Sequence, residues 1–366
     1  MSDIFNIDVY PAQRGDALWI EYGPEERPFR ILIDGGITRT GRDHLVAKIR
    51  GLPQGSSLDL LVVTHVDLDH IQGVIALLGE LKENVAISRV WFNGLDQLRR
   101  AAREAEAALE QQGVNDGIAL SDLLRKFHLA AWSPEAVSLA PDGSTRDHAL
   151  PGGMVATVIS PDHERLGKLE DAWEEVVEAF GAEEEEEDIR EARREAEVPG
   201  LEPMGAEEID VTALAESKFT EDRTVANGSS IALQLRFKGK SVLLLADAHP
   251  SVILRGVQAL SPAGPLRVDC VKLAHHGSRN NTSRALVQSL RSPVWIFSSD
   301  GKMTKHPHKE SVARVLHDSP EHKALVFNYR TEFNEMWDDA DLMAEHDYSV
   351  RYGDGLSPVR VELLGN

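Results

Sequence analysis

Four side chains that can bind divalent metals lie within six residues of one another early in the chain. The four residues, His65, Asp67, Asp69 and His70, follow the apolar stretch 60–63 and Thr64. Alternate side chains of an extended strand share one side, so His65, Asp67 and Asp69 would face the same way. A helix that starts after Asp67 would instead turn Asp69 and His70 toward a second centre. Because imidazole and carboxylate ligands suit zinc, manganese or iron, the cluster predicts a dinuclear metal site.

The simpler interpretation of this cluster is a charged loop that caps a helix. Asp69 would be a suitable N-cap for a helix that begins at residue 71. A cap needs only one such side chain, whereas this segment has two carboxylates and two imidazoles. We therefore favour the metal site.

Short apolar or alternating segments predict two groups of strands that position these residues. The first group is 5–10, 17–22, 29–33 and 60–63, followed by a helix at 71–81 and a strand at 87–92. The second group is 231–237, 241–245, 268–273 and 294–297, with helices at 250–260 and 284–290. Strands that lead into helices place functional residues at their carboxyl ends.

Residues 95–225 differ in composition and predict a helical and acidic insertion. Helices are expected at 95–112 and 120–131, and a strand at 154–159. Charge dominates between residues 164 and 222, with consecutive glutamates at 183–187, so little apolar surface is available to fix one fold. We expect 164–222 to combine helix with a mobile stretch.

The composition limits where the protein acts and what it binds. The 366 residues are 42% hydrophobic and 27% charged, with a formal net charge of −21, which opposes tight, extended binding of nucleic-acid phosphates. No apolar run approaches the roughly 20 residues of a membrane-spanning helix, and the first residues lack a basic stretch followed by an apolar one. Cys270, the single cysteine, is expected to be a buried structural thiol. We expect a cytoplasmic protein without membrane contact.

Potential metal ligands recur after the predicted strands. Asp34 follows one strand, the 65–70 cluster the next, and Asp247, the pair His275–His276, and the loop with His306 and His308 follow later ones. If the sheet edges share one rim, these residues would converge in one pocket.

Four segments resemble the ordered motifs of the metallo-β-lactamase superfamily. They are Leu-Ile-Asp-Gly-Gly at 32–36, Thr-His-Val-Asp-Leu-Asp-His at 64–70, Leu-Leu-Ala-Asp-Ala at 244–248 and Ala-His-His-Gly-Ser at 274–278. Three more, Gly-Asp-Ala at 15–17, Asn-Gly-Ser-Ser-Ile at 227–231 and His-Pro-His at 306–308, are similar to the hydrolase domain of ComEC-type competence proteins. The resemblance covers 5–92 and about 225–316.

The resemblance implies an α/β (α+β) fold, an αββα sandwich of two mixed β-sheets flanked by helices, formed by residues 1–366 as a single domain with the 95–225 insertion. Its ligand set would be His65 and Asp67 for the first metal, Asp69 and His70 for the second, Asp247 bridging both, and either His275 or His276 completing the second. Asp34 would lie behind the site and orient a ligand.

Two departures from the superfamily pattern affect the choice of metal. Asp67 stands where most members have histidine, and residues 227–230 occupy the place of a further histidine ligand. Carboxylate is a harder ligand than imidazole, so the expected pair of divalent ions, zinc or manganese, shifts toward manganese.

The implied activity is metal-dependent hydrolysis, by a phosphodiesterase or nuclease that uses a metal-bridging hydroxide. The expected catalytic residues are Asp69, His306 and His308, and the expected substrate-binding residues are Lys302, Lys305, Ser278 and Arg279. The substrate would be a nucleotide or single-stranded nucleic acid. One alternative is hydrolysis of a small ester, lactone or thioester. A second is a non-catalytic metal-binding sensor or interaction protein, with the acidic insertion as the surface for a protein partner.

Overall fold

Two large mixed β-sheets lie face to face in the computed structural model, which describes residues 2–105, 116–173 and 209–365. Within these residues the first sheet contains β1 (Asp3–Val9), β2 (Leu18–Pro24), β3 (Phe29–Ile33), β5 (Leu60–Val62), β7 (Val90–Trp91) and β18 (Val359–Leu364), in the order β18-β1-β2-β3-β5-β7. The strands β1 to β3 and β18 pair antiparallel, and β3, β5 and β7 pair parallel. The short strands β4 (Ser57–Leu58) and β6 (Ala86–Ile87) form a separate pair.

The second sheet is larger and has the order β17-β16-β15-β13-β11-β10-β9-β8. Its strands are β8 (Arg146–Ala149), β9 (Val155–Ser160), β10 (Ala232–Phe237), β11 (Lys240–Leu244), β13 (Cys270–Lys272), β15 (Val294–Phe297), β16 (Lys323–Phe327) and β17 (Tyr348–Tyr352). From β11 to β17 the neighbours pair parallel, and from β8 to β11 they pair antiparallel. The strands β12 (Leu266–Arg267) and β14 (Leu290–Arg291) form a short pair of their own.

Helices cover the outer faces of both sheets. They are α1 (Thr38–Thr40), α2 (Val46–Arg50), α3 (Leu68–Leu81), α4 (Leu95–Ala105), α5 (Asp116–Phe127), α6 (His163–Asp171), α7 (Val211–Glu216), α8 (Val225–Gly228), α9 (Pro250–Leu260), α10 (Arg284–Gln288), α11 (Lys309–Asp318) and α12 (Ala340–His346). No helix within the described ranges combines the length and the apolar content needed to cross a lipid bilayer.

The alternation of side chains along each strand builds three apolar layers. Ile31 and Ile33 lie in the core between the sheets, whereas Leu32 packs beneath the helices of the first sheet. In the second sheet Leu244 faces the shared core and Leu243 faces the helices. A strand buried on both faces must be apolar throughout, which explains the continuous apolar stretches in the sequence. The predicted αββα sandwich is confirmed.

Several predicted elements differ in detail from the structure. The predicted strand 87–92 is divided between β6 and β7, and the predicted helix 120–131 is α5, which ends at Phe127. The range 95–225 also supplies β8 and β9 to the larger sheet. Much of the acidic stretch, residues 174–208, lies outside the described residues.

The start of α3 is anchored by glycines. A Cβ atom on Gly73 would lie 1.8 Å from the carbonyl oxygen of Gly35, and one on Gly35 would lie 2.4 Å from the Val74 nitrogen. This close approach permits two backbone hydrogen bonds, from Gly73 N to Gly36 O at 2.8 Å and from Gly35 N to His70 O at 2.9 Å. The loop after β3 therefore fixes the turn of α3 that carries His70.

Candidate metal centre

The carboxyl ends of five strands meet at one edge of the sandwich. Asp34 follows β3, and the 64–70 segment follows β5, its parallel neighbour. In the second sheet β11, β13 and β15 are parallel neighbours, and they lead into Asp247, the 274–277 turn and the loop 298–308. The topology therefore brings together side chains that are more than 200 residues apart in sequence.

Asp247 lies at the centre of this group. Its Oδ1 is 3.6 Å from His70 Nε2, and its Oδ2 is 3.6 Å from His276 Nε2 and 3.8 Å from His275 Nε2. Asp69 lies on the other side of the group, with Oδ1 4.0 Å from His70 Nε2 and Oδ2 3.8 Å from His276 Nε2. The structure thus brings the predicted ligands of the second centre together.

Two overlapping groups of ligand atoms have metal-binding spacing. The atoms of His65, His70 and Asp247 lie within 4.8 Å of one another, and so do those of Asp69, His70 and His276. The rings of His65 and His70 are adjacent, with centroids 4.2 Å apart. Sharing of His70 between the groups places the two candidate centres side by side.

The donor atoms that face this site fit a divalent cation. Within the described residues, five of these buried atoms lack a hydrogen-bond partner: His65 Nε2, Asp67 Oδ1, His70 Nε2, Asp247 Oδ1 and His276 Nε2. A buried polar atom without a partner costs about 1–3 kcal/mol, so several in one place require an explanation. A bound metal ion provides one, since it would coordinate imidazole nitrogens and carboxylate oxygens together.

The capping interpretation does not account for the carboxylates. The N-cap of α3 is Asp67, and its side chain makes no capping hydrogen bond. Asp69 lies inside the first turn of the helix. Both carboxylates keep oxygens free for a ligand in the site.

Hydrogen bonds behind the site hold the imidazoles in place. Asp34 Oδ2 lies 2.8 Å from His70 Nδ1 and accepts from Thr64 Oγ1 at 2.7 Å, and Asp34 Oδ1 accepts from the Thr64 amide at 2.8 Å. Thr64 Oγ1 also lies 2.9 Å from His65 Nδ1. With Nδ1 occupied, the Nε2 atom of each ring is left to face a metal. The Asp34 carboxylate therefore lies beside the His70 nitrogen that does not approach Asp247.

His275 and His276 differ in their surroundings. The side chain of His276 is 1% exposed and that of His275 is 26% exposed. Both residues have left-handed backbone conformations, with φ of 56° for His276 and 47° for His275. Consecutive left-handed residues other than glycine are strained by about 1–3 kcal/mol each and are retained where function requires them. The turn directs both rings toward Asp247.

A network that sequence reasoning missed holds His275. Its Nδ1 lies 3.1 Å from Asn281 Oδ1, 3.3 Å from Asn227 Nδ2 and 3.6 Å from Asp222 Oδ2. Asp222 Oδ2 accepts hydrogen bonds from both amides, at 2.7 Å from Asn227 and 3.0 Å from Asn281. Asn227 thus lies next to His275, and the signal that could have found it was the 227–231 motif.

The electrostatics favour positive charge at the centre of the site. Burial alone would lower the pKa of His70, but Asp247, Asp34 and Asp69 outweigh it and raise that pKa well above its usual range. Burial would raise the pKa of Asp247, yet His70, His276 and His275 hold it well below its usual range. Burial would also lower the pKa of His275, but Asp247 and Asp222 raise it to about 9. A divalent cation would supply the positive charge that these carboxylates favour.

The loop 298–308 brings two more imidazoles to the rim. The His306 ring lies 5.1 Å from that of His275 and 4.7 Å from that of His308, between centroids. His306 is buried, and its Nδ1 has no hydrogen-bond partner in the described chain. Burial lowers the pKa of His306, and the neighbouring His275 and His276 lower it further. Burial and Arg279 lower the pKa of His308.

The predicted substrate-binding residues differ in their exposure and in their contacts with the rest of the protein. Lys302 and Lys305 are exposed on the same loop. Arg279 forms an ion pair with Glu310 at 3.0 Å, and its amide donates to His308 Nδ1 at 3.2 Å. Ser278 is buried, and its Oγ accepts from the Asn280 amide at 3.2 Å. Within the described residues the two lysine side chains are thus exposed to solvent, whereas the Ser278 hydroxyl takes part in the turn.

Comparison with known proteins gives only distant structural similarities. No family model and no curated protein matches the chain. A structure of CmlA, described as a diiron β-hydroxylase from Streptomyces venezuelae, aligns with a TM-score of 0.42 and 13% identity over 100% of this chain, which spans 54% of CmlA. The metallo-β-lactamase fold protein YhfI from Bacillus subtilis aligns with a TM-score of 0.41 and 11% identity, over 98% of this chain and 99% of YhfI. Zn²⁺-bound PqqB from Methylobacterium extorquens aligns with a TM-score of 0.39 and 12% identity, over 94% of this chain and 86% of PqqB.

The chain has a metallo-β-lactamase fold. This assignment rests on the molecule itself, namely two facing mixed sheets, helices on both outer faces and a His/Asp cluster where the parallel strands end.

Proposed function

We propose that the protein is a metal-dependent hydrolase that cleaves phosphodiester bonds. The observation that carries this proposal is the convergence of Asp69, His70, Asp247 and His276 at the edge of the sandwich. Each imidazole Nε2 atom of this set lies 3.6–4.0 Å from an oxygen of both carboxylates. Such a set of carboxylates and imidazoles is a site for hydrolytic metals.

The ligands divide between two centres. His65 and Asp67 would hold the first ion, Asp69, His70 and His276 the second, and Asp247 would bridge them. His276 is favoured over His275 because its buried Nε2 lies with Asp69 and His70 in one group of ligand atoms. Two divalent ions would supply a hydroxide at neutral pH and neutralise charge on the attacking and leaving oxygens. Manganese and zinc both suit this ligand set.

The chain's own residues would bind and orient the phosphate. His306 and His308 border the ligand cluster and offer imidazole nitrogens to phosphate oxygens, with the exposed Lys302 and Lys305 on the same loop as cationic partners. The likeness of 15–17, 227–231 and 306–308 to the hydrolase domain of ComEC-type proteins supports a nucleotide or single-stranded nucleic-acid substrate. The body of the protein would exclude extended duplexes by charge repulsion, since the net charge is −21.

That same charge supports a second candidate, the hydrolysis of a small ester, lactone or thioester. A neutral substrate is not repelled by an acidic protein. Hydrolysis of such a substrate would use the same metal ligands but would not need Lys302 or Lys305.

The deciding experiment compares kcat/KM for bis(p-nitrophenyl) phosphate with that for a panel of lactones, using the full chain loaded with manganese or with zinc. Our proposal predicts phosphodiester turnover that falls at least tenfold in the double variant Lys302→Ala/Lys305→Ala, while lactone turnover stays low. Turnover of lactones alone, unaffected by loss of the lysines, would instead support the ester hydrolase.

A further inference from the structure

A buried carboxylate and a buried ammonium group lie directly behind His276. Lys272 Nζ and Ser298 Oγ both donate hydrogen bonds to the Asp16 carboxylate. The Asp16 Oδ1 atom lies 3.4 Å from His276 Nδ1, on the side of the ring opposite to Asp247. The side chains of Lys272, Asp16 and His276 are each no more than 2% exposed.

These residues come from both halves of the molecule. Asp16 precedes β2 in the first sheet, whereas Lys272 is the last residue of β13 and Ser298 follows β15 in the second. Desolvation of two charges offsets much of their attraction, so a buried ion pair is weak evidence for added stability. A pair that contacts a metal-ligand imidazole has a more specific use, which is to orient that ring.

The loop that carries Asp16 also touches the other side of the second centre. A Cβ atom on Gly15 would lie 1.6 Å from the carbonyl oxygen of Asp69 and 2.9 Å from its Cβ. The loop is fixed by backbone hydrogen bonds from Gly36 N to Asp16 O at 2.7 Å and from Asp300 N to Gln13 O at 2.9 Å. One rigid loop therefore borders both Asp69 and His276.

We propose that Asp16 and Lys272 are a positioning pair for the second metal centre. The His276 Nδ1 atom has no hydrogen-bond partner within the described residues and lies 3.4 Å from Asp16 Oδ1. A small movement of the ring would let Nδ1–H donate to Asp16, so that Nε2 faces the metal, while Lys272 holds the Asp16 carboxylate in place. This inference rests on the proposed metal-dependent hydrolase and assigns a role to residues that do not touch the metal.

The variant that tests the pair is Asp16→Asn/Lys272→Met, which removes both charges and leaves no unpaired one. Its control is Asp8→Asn. Asp8 lies on β1, is buried to a similar degree, and pairs with Arg360 through Oδ1 and Nε at 2.7 Å. Both proteins are titrated with Co²⁺ against a chelator, and the visible spectrum of bound cobalt is recorded. We expect one of two sites to weaken about 10–100-fold with an altered cobalt spectrum in the double variant, and both sites to be unchanged in Asp8→Asn.

Two results would separate the positioning role of Asp16 and Lys272 from metal binding itself. If the folded double variant binds two equivalents with wild-type affinity and spectrum, the positioning role is wrong while the metal site stands. If the wild-type protein binds no divalent metal, the proposed function itself fails.

A measurement on the wild-type protein does not depend on the variant folding. In the zinc-loaded protein, nitrogen-15 NMR should show His276 protonated at Nδ1, with a slowly exchanging proton held by Asp16. Protonation at Nε2, with Nδ1 free, would overturn the proposal.

Discussion

At the scale of single residues, the site is organised by what lies behind each ligand. His70 is held by Asp34 at 2.8 Å, and His65 by Thr64 at 2.9 Å, through their Nδ1 atoms. Fixed rings lose little freedom when a metal binds, so the site is preorganised for it. Asp247 has a different role, because its carboxylate lies between the imidazoles of His70 and His276.

Replacing Asp247 with asparagine should remove metal and activity together. The amide keeps the shape of the side chain but loses the negative charge shared by both centres. We expect bound metal to fall from two equivalents to one or fewer, and kcat/KM to fall at least a hundredfold. Metal analysis and assays of the same preparation test this, with the exposed Asp142→Asn as the control. Hydrolysis by a metal-free Asp247→Asn protein would contradict it.

Cys270 should be unreactive in the folded protein. Its side chain is fully buried between the sheets, and burial raises the pKa of the thiol far above its usual value. The nucleophilic thiolate is therefore scarce and inaccessible. We expect no reaction with Ellman's reagent at pH 8 in native buffer and one thiol per chain in denaturant. Fast labelling of the native protein would place Cys270 outside the core.

The sequence indicated the candidate metal ligands more readily than the residues that lie behind them. His65 to His70 are contiguous, and Asp247 and the histidine pair follow recognisable strands, so their types and spacing indicate their chemistry. Asp16 and Lys272 are separated by 256 positions, and only the packing of the two sheets brings them together. Asp222 resembles any acidic loop residue until Asn227 and His275 are seen beside it.

At the scale of elements, α3 carries two of the predicted ligands, Asp69 and His70, and its contact with the loop after β3 fixes their position. Gly73 has no room for a side chain, whereas Gly79, six residues later in the same helix, has no atom within 4 Å of a Cβ position. The two glycines therefore form a matched pair for testing the contact.

The substitutions Gly73→Ala and Gly79→Ala should have opposite effects on stability. Gly79→Ala should stabilise the protein by about 0.5–1 kcal/mol, since alanine is the better helix former. Gly73→Ala must push α3 away from Gly35. It should lower the free energy of unfolding of the protein by about 2–4 kcal/mol, because overpacking and a lost hydrogen bond combine. Urea unfolding of both variants measures this. Equal effects at the two positions would show that the glycine contact does not hold the helix.

The strands were predicted more accurately than the connections between them. The alternation of apolar residues in β1, β2 and β3 placed these strands within a few residues of their observed bounds. The strand predicted at 87–92 is interrupted, because pairing of β6 with β4 and of β7 with β5 divides it between two sheets. The edge strand β18 was not predicted, although Val359, Val361 and Leu363 alternate with exposed residues along it.

At the scale of the whole molecule, the net charge of −21 should affect substrate binding. A long nucleic-acid substrate would be repelled by the acidic body, even if its scissile phosphate reached the proposed metal centres. Salt screens that repulsion over a Debye length of about 8–10 Å.

Raising ionic strength from about 20 to 150 mM should therefore lower KM for a single-stranded oligonucleotide several-fold, while KM for bis(p-nitrophenyl) phosphate changes little. This trend is opposite to that of proteins that bind nucleic acid through an extended basic surface. Steady-state kinetics at matched metal activity measure it. A steep rise in KM with salt would instead indicate such a surface.

Two divalent ions would bind between the ends of the parallel strands if the protein is a metal-dependent hydrolase. Anomalous diffraction from crystals of the full chain grown with manganese or zinc would locate them. We expect two anomalous peaks, one bordered by His65 and Asp67 and one by Asp69, His70 and His276, with Asp247 between them. Crystals with no anomalous peak among these side chains would contradict it.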